Sequence, residues 1–314
     1  MQTLAPIPEM LSVSPFGMTI YSDYSYLPKK VKTESIPMPR NNDTNGILSP
    51  SAKKNLRNCV GYLILRTQKK HKSLRNPFPN ISKKIGFMTL TLPGKQKHSD
   101  TEIKSICLNQ FLIEINNTYK IEEYVWRAEK QKNGNIHFHL LINKFIKHED
   151  IKKRWNRIIN KLGYVKEYQD KHKNLTFREY CQLYPTQEKN GHRLLDRVRQ
   201  YENGKATAWS QPNSTDIKNL KHVKNAGRYI SKYVSKVVSD TPVIKAQRNK
   251  AAQADELSKL YEQAKLEELI RAEAKKLKIE GRLWFASESL TKIKKLKFEL
   301  TPELKEELSL FISW

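Results

Sequence analysis

His137, Phe138 and His139 stand in a run of strand-forming residues, IHFHLLI. Side chains of an extended strand alternate between its two faces, so both imidazoles share one face and Phe138 takes the other. Two imidazoles held in this way can bind one divalent cation. The spacing is not diagnostic alone, because paired strand histidines also occur as plain surface residues. Glu129, on the preceding strand, is the natural third ligand. A carboxylate beside two imidazoles makes a small open site that suits Mg²⁺ or Mn²⁺ better than a closed structural zinc. Register decides whether it can reach. The two strands meet at Asn133-Gly134, a strong hairpin signal. A loop of Asn133 and Gly134 alone would put Glu129 opposite Phe138, facing away. A three-residue loop running to Asn135 would put it opposite His139, on the imidazole face. The three-residue loop, or an equivalent bulge, is therefore expected.

A second group follows in Tyr229-Ile230-Ser231-Lys232-Tyr233-Val234-Ser235-Lys236. At about 100° per residue, a helix collects Tyr229, Lys232, Tyr233 and Lys236 into one stripe. Ala226, Ile230, Val234 and Val237 form the apolar face beside it. A tyrosine hydroxyl can attack a phosphodiester and become covalently joined to it. With a pKa near 10, however, only about one phenol in a thousand is ionised at neutral pH. A neighbouring lysine and a divalent cation on the phosphate would both ease the attack. Alone, such a stripe is also what an amphipathic surface helix looks like; its meaning comes from sharing a chain with the histidine pair.

The elements that must position these groups can be read from periodicity. Residues 1–50 hold many Pro, Ser, Thr and Asn and little periodicity, which predicts a disordered arm. A basic amphipathic helix is expected over 51–70, capped by a serine, then a basic linker. IGFMTLTLP alternates and is rich in β-formers, so it reads as a strand ending at Pro93-Gly94. Ser99 to Glu102 supplies capping residues for a helix over 101–117, and IKHEDIKKRWNRIINKL forms a helix stopped by Gly163. A short helix is expected over 176–183. From Asp216 the chain reads as a turn leading into the tyrosine helix, and 251–279 as one long charged helix. Strands and helices that do not alternate strictly indicate an α+β fold with an antiparallel central sheet flanked by helices. The expected division is a disordered arm at 1–50, a catalytic domain at 51–245 and a helical C-terminal extension at 246–314.

Composition narrows the partners. The 314 residues carry 58 Lys+Arg against 32 Asp+Glu, a formal net charge of +26, so a polyanion is the first partner to consider. No run approaches the roughly 18 apolar residues of a membrane span, and the N-terminus lacks a signal core, which predicts a cytoplasmic protein with no membrane partner. Cys59, Cys107 and Cys181 are odd in number and widely spaced, which argues against a disulfide framework or zinc ribbon.

FMTLTLP, HFHLL and YISKYVSK, in that order, resemble the three motifs of the HUH endonuclease superfamily of rolling-circle replication initiators. The doubled YxxKYxxK is similar to the two-tyrosine initiators of small single-stranded DNA phages. WRAEKQKNGNIHFHLLIN is similar to initiator-type proteins of Bacteroidetes-associated phages and plasmids, and the resemblance extends through GRLWFAS. It implies that His137 and His139 ligate the metal, that Glu129 completes the site, that Tyr229 and Tyr233 are nucleophiles and that Lys232 and Lys236 assist. It also implies an HUH- or RRM-like sheet in a protein of a bacterial host cell that nicks single-stranded or hairpin origin DNA. Nicking would leave a 5′-phosphotyrosine and a free 3′-OH for a host polymerase; the second tyrosine would allow recutting and rejoining. No GxxxxGK[ST] loop is present, so unwinding would fall to a host helicase. Relaxases and HUH transposases share the same chemistry, although relaxases usually carry the tyrosine before the histidines. A non-catalytic RRM-like nucleic-acid-binding protein would account for the charge and aromatics alone.

Overall fold

The computed structural model describes residues 8–15, 17–23, 43–44, 48–77, 79–81, 84–131, 133–184, 192–219, 242–253, 256–276, 278–293 and 296–312. At its centre β5 (Tyr124–Lys130) and β6 (Ile136–Ile142) form the expected hairpin. Gln131 N donates to Asn135 O at 2.8 Å, Gly134 N donates to Gln131 O at 2.9 Å, and Gly134 has φ +84°. Three positions lie between Gln131 and Asn135, so the loop has the expected length but starts one residue earlier. The cause is the glycine: a three-residue hairpin loop ends on a left-handed residue, which makes Gly134 the last loop position and not the middle one. Glu129 therefore pairs with His137 and Arg127 with His139, a correction to the expected pairing of Glu129 with His139. The pairing moves by two residues, an even shift, so Glu129 keeps to the imidazole face.

β4 (Gly86–Leu90) lies beside β6, bringing FMTLTLP next to HFHLL as expected. β7 (Thr215–Asn219) pairs with β4, and β9 (Trp284–Ala286) pairs with β5, giving an antiparallel sheet of order β7-β4-β6-β5-β9. The residues from Thr215 to Asn219 form a strand where a turn was expected. The edge of β4 offers unpaired backbone groups that a short polar segment can satisfy, and that outweighs its weak local signal. The remainder of the expected tyrosine helix falls outside the described residues.

One face of the sheet carries Ile136, Phe138, Leu140 and Ile142, all buried. Phe138 meets Trp126 of β5 and Trp155 edge to face, with centroids 6.2 and 6.3 Å apart. Trp155 belongs to α4 (His148–Ile159), whose Ile151, Trp155, Ile158 and Ile159 recur at helical spacing and are buried. Its indole Nε1 donates to Thr91 O at 2.7 Å, fixing the helix to the end of β4. The helix closes through a short 3₁₀ turn at Gly163, φ +78°. α2 (Asp100–Glu102) opens with a capping box in which Ser99 N donates to Glu102 Oε2 at 2.8 Å and Glu102 N to Ser99 Oγ at 3.1 Å. It runs through a π-helical stretch, Ile103–Leu108, into α3 (Asn109–Tyr119). α1 (Pro50–His71) packs against β5 and β9, with Ser49 as its cap and Pro50 at the first turn, two residues ahead of the expected start.

Beyond α4, the helices α5 (Tyr164–His172), α6 (Phe177–Leu183) and α7 (His192–Ala206) gather a second, aromatic core around Tyr180, Tyr201 and Trp209. Gly204 is required there, because a Cβ at that position would lie 2.2 Å from the Trp209 ring. His172 is fully buried in the same cluster. Its Nδ1–H donates to Tyr168 O at 2.6 Å and its Nε2 lies 2.7 Å from the Tyr184 hydroxyl. Burial, only partly opposed by the bond to Tyr168 and reinforced by Lys171, lowers this imidazole below its ordinary value of 6.5. The unfolded chain takes up a proton near pH 6.5 that the folded chain resists. Stability from this group is thus complete above that value and is lost as pH falls through it. Chemical denaturation from neutral to mildly acidic pH should show the midpoint falling for the wild type and a flatter profile for His172→Gln. Identical profiles would show that this histidine does not govern the acid response.

Within the segment read as an arm, β1 (Glu9–Ser14) and β2 (Gly17–Ser22) form a hairpin, and β1 pairs on its other side with β10 (Leu296–Glu299). β3 (Asp43–Thr44) pairs with β8 (Ile279–Glu280). The C-terminal part holds α8 (Pro242–Gln253), α9 (Glu256–Lys276), α10 (Glu288–Thr291) and α11 (Pro302–Ile312), so the long expected helix is two. This part is not purely helical, since β9 joins the central sheet. The fold is α+β, with antiparallel sheets flanked by helices. No helix among the described residues is long and apolar enough to cross a membrane.

Candidate metal centre

Backbone pairing assembles the site. On the face opposite Phe138, His137 and His139 of β6 lie beside Glu129 and Arg127 of β5, with Thr89 of β4 across from His139. One ligand atom from each of Glu129, His137 and His139 can be chosen so that all three lie within 4.8 Å of one another. Glu129 Oε2 is 3.6 Å from His137 Nε2 and 3.5 Å from His139 Nε2. These gaps are long for hydrogen bonds. They match the roughly 3 to 3.5 Å that separates neighbouring ligand atoms around an ion held by bonds of about 2.1 Å. Glu129 and His139 are buried and His137 is half-buried. Both ring nitrogens of His137 are shut off from solvent and make no hydrogen bond among the described residues. Buried polar atoms normally have partners, so nitrogens left in this state facing a carboxylate fit a metal ligand.

Neighbouring side chains orient the group. Thr89 Oγ1 lies 3.2 Å from His139 Nδ1, so that nitrogen carries the proton when Nε2 serves as ligand. Phe87 stacks on the His139 ring, centroids 5.7 Å apart and 17° between planes. Burial by itself would raise the Glu129 carboxyl. The facing imidazoles and the Arg127 guanidinium outweigh that effect and hold it well below the usual carboxylate range, so it is an anion at neutral pH. The hairpin tip is tied down as well. Gln96 N donates to Asn135 Oδ1 at 2.8 Å, Ile136 N donates to Gln96 Oε1 at 2.6 Å, and Lys130 Nζ donates to Asp100 Oδ1 at 2.6 Å. These bonds fix where His137 leaves the turn.

The structure thus brings together Glu129, His137 and His139. Tyr229, Lys232, Tyr233 and Lys236 lie outside the described residues, and so does the expected approach of their helix to the imidazoles. Thr89, Phe87 and Arg127 were not singled out from sequence. Their alternation with buried neighbours was visible, but their place beside the histidines depends on pairing between strands that are distant in the chain.

An antiparallel sheet bearing two imidazoles and a carboxylate on adjacent central strands defines an α+β protein with a preassembled candidate site for a divalent cation. Residues 85–238, just under half of the chain, match the family model of the replication-associated protein ORF2. The matched span begins just before β4, contains Glu129, His137 and His139, and includes Tyr229 to Lys236. No curated protein and no solved structure matches the chain.

Proposed function

We propose that this protein initiates rolling-circle DNA replication by nicking and rejoining single-stranded or hairpin origin DNA through a tyrosine, as an HUH-type endonuclease. The observation that carries this reading is the clustering of Glu129, His137 and His139 within a segment similar to replication-associated proteins. Glu129, His137 and His139 would hold Mg²⁺ or Mn²⁺, which when bound polarises the scissile phosphate and offsets its charge. Tyr229 or Tyr233 attacks phosphorus, and its phenolic oxygen replaces the 3′ oxygen of the preceding nucleotide. The phenol loses one proton and the departing oxygen gains one, leaving a 5′-phosphotyrosine and a free 3′-OH. Lys232 and Lys236 favour the phenolate by placing positive charge beside it. Attack of a 3′-OH on the phosphotyrosine reverses the exchange and rejoins the strand, without an external energy source.

The many basic side chains supply affinity for the DNA backbone. A host polymerase extends the 3′-OH, and a host helicase supplies unwinding. The proposed boundaries keep the catalytic domain at 51–245, with β9 added to its sheet from the C-terminal part. The test is incubation of the full chain with circular single-stranded DNA in Mn²⁺, Mg²⁺ or EDTA, followed by denaturing electrophoresis. Linear product in either metal and none in EDTA is the expected result. Unchanged circles in all three would oppose it, and equal cutting in EDTA would remove the metal from the chemistry.

A further inference from the structure

We propose that Arg127 is a phosphodiester-binding residue of this centre, gripping the same phosphate that the cation contacts. The inference rests on the metal-dependent reading above and adds a ligand-binding role for a residue that reading leaves unused.

Arg127 precedes Glu129 by two positions on β5, so the two side chains share a face, and it pairs directly with His139. It is only 5 % exposed. Its Nη1 stands 3.4 Å from Glu129 Oε1, and neither Nε nor Nη1 makes a hydrogen bond among the described residues. A guanidinium is a planar fork of five donors, suited to two oxygens of one carboxylate or phosphate. Here it is buried, in long contact with one carboxylate oxygen, with donors to spare. Leaving such donors unused costs stability unless a ligand takes them up.

Charge points to the class of ligand. With neutral imidazoles, the −1 of Glu129 and the +1 of Arg127 balance. A divalent cation would leave the enclosed group at +2, which is costly away from water. A phosphodiester carries −1 and has two unesterified oxygens, one for the cation and one for the guanidinium. Cation and diester should therefore each tighten the binding of the other, and by linkage the two effects must be equal. A carboxylate-orienting role for Arg127 would give no such coupling.

The experiment is Mn²⁺ titration of the full-length protein, followed by electron paramagnetic resonance, with and without excess dimethyl phosphate and with a chloride control. Wild type, Arg127→Gln and Arg127→Lys are compared. The diester should tighten Mn²⁺ binding by wild type about tenfold, within the usual range of coupling between sites. Arg127→Gln should lose that gain, and Arg127→Lys, which keeps the charge without the fork, should keep part of it. Arg127→Lys also guards against a folding defect in the neutral variant. A full diester effect in Arg127→Gln overturns the proposal, as does a wild type whose Mn²⁺ binding ignores the diester. Wild type that binds no Mn²⁺ at all defeats the metal centre itself, a distinct outcome that removes this inference with it.

Discussion

His137→Ala and His139→Ala should each reduce metal-dependent nicking by about 10²- to 10³-fold, since loss of a first ligand forfeits several kcal/mol of charge stabilisation. DNA affinity should change little, because it comes from basic side chains spread over a chain of net charge +26. His137 is the cleaner variant: its ring nitrogens have no hydrogen bond among the described residues, so truncation breaks no bond there. His139 also stacks on Phe87 and contacts Thr89, so its loss leaves a small void and some stability goes with it. Mn²⁺ should raise the wild-type melting temperature and leave that of both variants nearly unchanged, because binding to the native state alone stabilises it. Glu129→Ala should show a similar but weaker defect. If the His137 variant loses binding and cleavage equally, or melts far below wild type, its role is in folding and not in catalysis.

Tyr229→Phe and Tyr233→Phe should each retain some single-nick activity, while the double variant forms no covalent adduct. On a helix, residues four apart have Cβ atoms about 5 to 6 Å apart on one face, so either hydroxyl can reach the same phosphate with a small rotation. Each tyrosine is followed three positions later by a lysine, Lys232 or Lys236, and nothing local marks one as inert. Repeated cutting and rejoining needs both hydroxyls, one carrying the DNA while the other attacks, so each single variant should lose multiple turnover. Measuring adduct yield and circle production separately distinguishes the two defects. Should one Phe substitution remove all adduct while the other leaves full turnover, the protein is a single-tyrosine enzyme, with Tyr229 the stronger candidate.

The hairpin was legible because Asn-Gly and the alternation of IHFHLLI are local signals, and alternation alone put both imidazoles on one face. Register needed a finer rule, that glycine takes the left-handed last position of a three-residue loop, and without it Glu129 was paired two residues from its true partner. The face survived the error because the shift was even. Thr89, Phe87 and Arg127 escaped notice for a different reason. Their meaning depends on β4 pairing with β6 and on which side each turns, and no local periodicity encodes a pairing across that length of chain. The same holds for β9 on β5 and for β10 on β1, contacts between distant parts of the chain. In the N-terminal segment, Leu11 and Val13 alternate with serines, a short strand signal in a stretch otherwise read from its composition.

The most direct test of the central claim is to isolate the product of a reaction with single-stranded DNA and Mn²⁺, digest the protein and the DNA, and locate the nucleotide-bearing peptide by mass spectrometry. A 5′-phosphotyrosine at Tyr229 or Tyr233, absent in EDTA and absent from the His137→Ala protein, is the result expected. An adduct on a tyrosine outside that segment, or cleaved DNA with no protein attached under conditions that trap the intermediate, would contradict it.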